Sequence, residues 1–230
     1  MTGQNQGNEV PGDKNVIYSA VVGFVVRALM ESPPIYSKVT SVLRGNDNIQ
    51  RFVDTYIEAK EGDRILDIGC GTGYILNFLP DVDYYGFDLN GSYIKLAKKQ
   101  FGRRGKFFHM AVDSRIAFDD KKFDIIIAMG VLHHLNDHDA RQLFELASKH
   151  LKPTGCLVTG FDGCYVENQP AITRFILWLD RGKFIRGKSA YEDLARHAFT
   201  KVTSHIHEDL LNIPYTSIVL ECRPGTGESR

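Results

Sequence analysis

The stretch Asp63-Arg64-Ile65-Leu66-Asp67-Ile68-Gly69-Cys70-Gly71-Thr72-Gly73-Tyr74 constrains this chain more tightly than any other. Ile65, Leu66 and Ile68 form a short apolar run, the pattern of a strand buried on both faces. Glycines follow at every second position, and Tyr74 to Leu79 then reads as the first turns of a helix that Pro80 stops. Strand, glycine turn and helix open a βαβ unit. Glycines at such a turn let backbone N–H groups approach a ligand at the helix N-terminus. Spacing separates the ligand classes. The dinucleotide fingerprint G-x-G-x-x-G needs a glycine at position 74 or 76, where the chain has Tyr74 and Leu76. The Walker pattern needs a lysine that this turn lacks. What remains is Asp67-x-Gly69-x-Gly71-x-Gly73, a glycine turn headed by a strand-end carboxylate.

The elements that follow keep alternating. A second strand, Asp83 to Asp88, ends in a carboxylate 21 residues after Asp67. Nucleotide-binding α/β folds place an acidic residue about 20 residues on, where ribose hydroxyls donate to it. The competing role, capping a helix over Gly91 to Phe101, falls more naturally to Asn90. Strands are predicted at Lys106–Ala111, Phe123–Ala128 and Gly155–Gly160, the second nearly all apolar and therefore central. A helix from His138 to Leu151 lies between the last two, with Asp137 as N-cap and Pro153 beyond its end. Helical runs then follow at Ala171–Leu179 and Ser189–Ala198. Two alternating strands, Lys201–His207 and Tyr215–Cys222, close the chain as an antiparallel hairpin.

Before the first strand, Asn15–Met30 has apolar positions at helical spacing, and further helices are predicted over about 35–43 and 48–59. The expected fold class is α/β: a doubly wound, Rossmann-like, seven-stranded sheet with a C-terminal antiparallel hairpin and N-terminal helices. The expected organisation is a disordered tail over 1–13, a single domain over 14–223 with a helical cap at 14–60, and a short tail over 224–230.

The spaced glycines, Asp67 and Asp88 resemble motif I and its sequel in the class I S-adenosylmethionine-dependent methyltransferases. Leu132-His133-His134-Leu135 after the fourth strand is similar to a segment common in the small-molecule members, and Leu151-Lys152-Pro153-Thr154-Gly155 to the turn before their fifth strand. In the latter, Thr154 stands where a glycine is usual. The resemblance spans about residues 60–160 by motif and extends to 223 by order of elements. It implies S-adenosylmethionine as cofactor, held by Asp67, Gly69, Cys70, Gly71, Gly73, Asp88, Leu89, Asp113 and Met129, with Asp113 receiving the adenine amino group. It also implies that the N-terminal helices lie over the cofactor; packing alone is the other reading.

Methyl transfer from a sulfonium is an in-line displacement with an activated leaving group. The protein's work is alignment, desolvation and, for a hydroxyl acceptor, proton removal. Histidine titrates near working pH, so His133 is the first candidate base and His134 the second; one of the two is expected to pack and the other to face the pocket. Asp162, just past the fifth strand, sits at the carboxyl edge where open α/β sheets bind ligands, and either orients a histidine, holds a sugar hydroxyl, or simply makes a turn with Gly163. No metal is expected: adjacent histidines do not converge on one ion, and His205-x-His207 has no companion ligands.

Two look-alikes are set aside. Gly182 to Ser189 matches the Walker A expression, but it follows a helix and carries bulky Phe184, Ile185 and Arg186 in its loop. Ser32-Pro33-Pro34-Ile35 is similar to a nucleobase-methylating motif, yet it lies before the first strand rather than after the fourth. Arg174, Arg181, Lys183, Arg186 and Lys188 cluster in one insertion and either meet an anionic acceptor or form a solvated face.

The chain has 28 basic and 28 acidic residues, a balance that argues against holding nucleic acid by bulk electrostatics. Its four cysteines form no C-x-x-C pair, and a reduced compartment is the simpler reading. The apolar run Val16–Met30 is short for a bilayer and holds Arg27. The expectation is a cytoplasmic enzyme that methylates an oxygen or nitrogen of a small molecule, with no nucleic acid partner and no membrane span. An NAD-type Rossmann oxidoreductase or epimerase, and a non-catalytic S-adenosylmethionine-binding domain, are the alternatives.

Overall fold

The structure, a computed structural model, describes residues 43–112, 121–180 and 182–225. The helices predicted over 15–30 and 35–43, together with Asp113 and Arg181, lie largely or wholly outside the described residues.

The sheet runs in the order β3-β2-β1-β4-β5-β8-β7, with β1 Arg64–Ile68, β2 Asp83–Asp88, β3 Gly105–His109, β4 Phe123–Met129, β5 Leu151–Tyr165, β7 Lys201–His207 and β8 Ser217–Arg223. The first five strands pair in parallel, and β8 pairs antiparallel with both β5 and β7. An added two-residue strand, β6 (Arg186–Gly187), pairs with the end of β5 and was not foreseen. The order reverses between β1 and β4, so the crevice at their carboxyl ends is the natural ligand site of a doubly wound sheet.

β4 sits at the centre because Ile125, Ile126 and Ile127 are apolar on both faces, and all three are buried. One face of the sheet is covered by α1 (Asn46–Phe52, continued as a wide π turn to Ile57) and α2 (Gly91–Phe101) through Phe52, Ile57, Ala97 and Phe101. The other is covered by α3 (Asp137–His150) and α5 (Lys188–Arg196). In α3 the core positions Ala140, Leu143, Phe144 and Ala147 recur at helical spacing. A further helix, α4 (Ala171–Leu179), links β5 to β6.

Two local expectations are corrected. Tyr74–Asn77 is a single 3₁₀ turn, not the start of an α-helix, because Pro80 leaves too little chain to propagate one. The cap of α3 is Asn136, whose side chain accepts from Asp139 N at 2.9 Å; Asp137 falls inside the helix.

β5 carries a bulge. Thr159 pairs with Leu220 and Asp162 with Ile218, so β5 spends one residue more than β8 across that interval. Phe161 takes the surplus with φ at 59°, a left-handed conformation that costs a bulky residue about 1–3 kcal/mol. Consequently Cys156, Val158 and Phe161 face α1, whereas Leu157 and Cys164 face α3 and α5.

Candidate active site

The turn after β1 is shaped by backbone that only glycine adopts at low cost: φ is 76° at Gly69, 55° at Gly71 and 72° at Gly73. Gly69 N and Cys70 N both donate to Phe87 O on β2, at 2.8 and 3.0 Å. Asp88 then pins the middle of the turn. Its Oδ2 accepts from Gly71 N at 2.9 Å and its Oδ1 from Asn90 N at 2.7 Å. Each oxygen keeps a further acceptor site, and the residue is only half-buried. Leu89 beside it is 74% exposed, an apolar side chain with no packing reason to be there. A side chain added at Gly71 would meet nothing within 4 Å, so the turn has open space above it. Open space over the turn, a carboxylate with spare acceptor sites and an exposed apolar side chain fit a nucleoside lying across the turn.

Asp67 has a different setting. It is buried beneath the turn and accepts from Tyr84 Oη at 2.5 Å. Burial, and to a lesser degree the charge of Asp88, push its carboxyl up to about 7 despite the Tyr84 bond and the nearby Arg44 charge. Cys70 is also buried, with its thiol raised by burial.

The second wall comes from β4. Met129 is half-buried at the strand end, Gly130 turns the chain with φ at 67°, and a 3₁₀ turn carries Leu132, His133 and His134. A side chain at Gly69 would lie 2.6 Å from Val131 Cγ2, so the two turns touch. The histidines divide as one buried and one exposed: His133 is 5% exposed, and His134 faces solvent with its ring 4.1 Å from that of His133.

His133 and Asp162, both on the candidate list, are brought together. His133 Nδ1 lies 2.8 Å from Asp162 Oδ1, and the same oxygen accepts from His133 N at 3.2 Å. Asp162 is fully buried, and its Oδ2 has no hydrogen-bond partner among the described residues. Sequence reasoning missed a third member, Asp180 at the C-terminal end of α4. Its Oδ1 is 3.6 Å from His133 Nε2 and accepts from Gly182 N, while its Oδ2 accepts from Tyr215 Oη at 2.6 Å. A signal existed, since an acid at a helix C-terminus faces the negative end of the dipole and needs another reason to be there. Burial alone would lower the His133 pKa, but the bond and charge of Asp162 and the charge of Asp180 outweigh it and hold the imidazole above its usual range. Arg44 was missed as well. Its guanidinium stacks over the Phe161 ring at 4.9 Å and would stand 3.4 Å from a side chain at Gly130.

Arg186 is not an acceptor-binding cation. It donates to the carbonyls of Leu132, Leu135 and Phe184 and pairs with Asp137, thereby bracing the histidine turn. In the Walker look-alike, Gly182 N and Phe184 N are spent on Asp180 and on His133 O, which leaves no phosphate cradle. His205 pairs with Glu221, and His207 with Asp209 and Tyr56.

Residues 65–155 match the model of a methyltransferase domain family. The chain carries a class I S-adenosylmethionine-dependent methyltransferase domain. Over 162 residues it is 32% identical to phosphoethanolamine N-methyltransferase 3 of Arabidopsis thaliana, covering 67% of this chain and 32% of that protein. It is 36% identical over 84 residues to probable tRNA methyltransferase 9B of Homo sapiens, covering 36% of this chain and 18% of the human one. The chain thus spans only part of each of these relatives. Among solved structures it resembles a TehB-like SAM-dependent methyltransferase from Corynebacterium glutamicum, with TM-score 0.59 and 18% identity over 86% of this chain and 98% of that one. The methyl donor of the domain's family is S-adenosylmethionine, and the open glycine turn with Asp88 and Leu89 fits it. Among the described residues, no helix is long and apolar enough to cross a membrane.

Proposed function

We propose that this methyltransferase domain transfers a methyl group to an oxygen or nitrogen of a small-molecule acceptor, with His133 at the acceptor side. The observation that carries the reading is the His133–Asp162 pair, built into the turn that touches the glycine loop. Gly69, Cys70, Gly71 and Gly73 would hold the amino-acid end of the donor, with Asp67 supporting the turn from below. Asp88 would take the ribose hydroxyls, and Leu89 and Met129 would flank the base. Bound there, S-adenosylmethionine supplies an electrophilic sulfonium methyl for in-line displacement.

The chain's own groups do the rest. Asp162 fixes the imidazole through Nδ1, which leaves Nε2 as the acting nitrogen. Nε2 accepts the acceptor's proton as the new bond forms, and the carboxylates of Asp162 and Asp180 stabilise the resulting imidazolium. Burial of the pair excludes water from the transfer. His134, exposed beside it, is the reserve base.

The test is to incubate the protein with methyl-labelled S-adenosylmethionine and, in separate reactions, a small-molecule extract and total tRNA. Label should enter low-mass metabolites. Label confined to tRNA would overturn the small-molecule reading. Tight S-adenosylhomocysteine binding with no transfer to any fraction would favour a non-catalytic domain.

A further inference from the structure

α4 turns Thr173 and Leu177 to the core and leaves four large apolar side chains outside: Ile172 at 55% exposure, Phe175 at 44%, Trp178 at 72% and Leu179 at 47%. Phe175 and Trp178 stack with their rings 5.9 Å apart, forming an aromatic surface that no core cluster among the described residues includes. Phe184, in the loop that follows, is 38% exposed as well.

The charges around this face are one-sided. Over residues 171–188 the sequence has a single acid, Asp180. That acid is engaged by Tyr215 Oη and Gly182 N. Arg174, Lys183 and Lys188 are exposed. The solvent-facing charge of the segment is therefore positive, next to an apolar face that carries a tryptophan. A helix with Trp, Phe and Leu on one face and basic side chains at its margin matches the chemistry of an anionic bilayer's interface. Self-association fits less well. A two-fold contact brings each patch against its own copy, which would set Arg174 and Lys183 of one protomer near the same cations of the other.

We propose that α4 docks the protein on anionic phospholipid surfaces, with Trp178 and Phe175 in the acyl boundary and Arg174 and Lys183 among the headgroups. The helix ends at Asp180, beside His133, so docking sets the lipid surface near the candidate acceptor side. The proposal stands independently of the methyl-transfer reading.

Trp178 is the only tryptophan in the chain, so intrinsic fluorescence reports on this face directly. The full chain would be titrated with vesicles of phosphatidylcholine mixed with phosphatidylglycerol, and with vesicles of phosphatidylcholine alone. A blue shift is expected with the anionic vesicles, quenched by brominated acyl chains and weakened by salt. Arg174→Ala combined with Lys183→Ala should lower vesicle affinity roughly ten- to thirtyfold. Phe175→Ser combined with Leu179→Ser should abolish most of the co-sedimentation while circular dichroism stays that of the wild type. An unshifted spectrum from normally folded protein on anionic vesicles would overturn the proposal. So would equal affinity for the neutral vesicles, or a blue shift that tracks protein concentration without lipid, which would assign the face to a second copy.

Discussion

Asp162→Ala should be the costliest single substitution at the site, and the structure fixes why. Asp162 is fully buried and is the partner of both His133 Nδ1, at 2.8 Å, and His133 N, at 3.2 Å. Removing one member of a buried, hydrogen-bonded charge pair costs about 3–5 kcal/mol. Total stability is typically about 5–15 kcal/mol, so the loss is a large share of it. At about 2–4 °C per kcal/mol for a domain of this size, the melting temperature should fall by roughly 6–20 °C. Asp162→Asn keeps the volume and one carbonyl acceptor but loses the charge, and should cost about 1.5–3 kcal/mol.

The two variants should also change how stability responds to pH. His133 binds its proton more tightly in the folded protein than the usual imidazole does. A raised folded-state pKa contributes stability in full below the unfolded value, about 6.5, and that contribution is lost as pH rises through the folded value. Wild-type melting temperature should therefore decline on the alkaline side, and the decline should flatten in both variants. Thermal melts followed by circular dichroism over a pH series measure both effects. An alanine variant melting within about 2 °C of wild type, or sharing its pH slope, would refute the buried pair as a source of stability.

Asp88→Ala should weaken S-adenosylhomocysteine binding by about 1.5–3 kcal/mol, which is roughly ten- to hundredfold. Unchanged affinity by calorimetry would mean that Asp88 serves only the glycine turn. With an acceptor in hand, His133→Ala should lose about 10²–10⁴-fold in kcat while S-adenosylhomocysteine affinity holds. Wild-type kcat should rise with pH, with its midpoint above the ordinary imidazole value, because the neutral base appears only there. A variant within a few-fold of wild type would leave alignment as the catalyst or pass the base role to His134.

The sheet was legible because its information is local. Ile65–Ile68, Phe123–Ala128 and the hairpin strands each carry a period that states which faces are buried, and the predicted bounds lie within a few residues of those observed. The glycine turn and Asp88 were legible for the same reason, since spacing along one βαβ unit determines where they meet. What stayed hidden was tertiary. Asp180 reaches His133 from a helix 47 residues away in sequence, and Arg44 reaches the site from before the first strand. Arg186 read as a free cation because nothing in its neighbours reveals that three carbonyls wait for it. Tyr74–Leu79 misled because apolar spacing at a helix start is equally compatible with one tight turn.

The left-handed residue in β5 decides where the carboxylate points. Side chains on a strand alternate, so every position is assigned to one face by parity. The surplus residue at Phe161 inverts that parity for all that follows it, which is how Asp162 comes to lie on the histidine's side. Deleting one residue between Thr159 and Asp162 would let β5 and β8 pair without interruption and relieve the backbone. Asp162 would keep its place opposite Ile218; flattening the bulge with every residue retained is what would send the carboxylate beneath α1, among Phe52 and its neighbours. The pairing of acid and imidazole thus depends on where one strand absorbs its surplus residue, which no inventory of residue types would reveal.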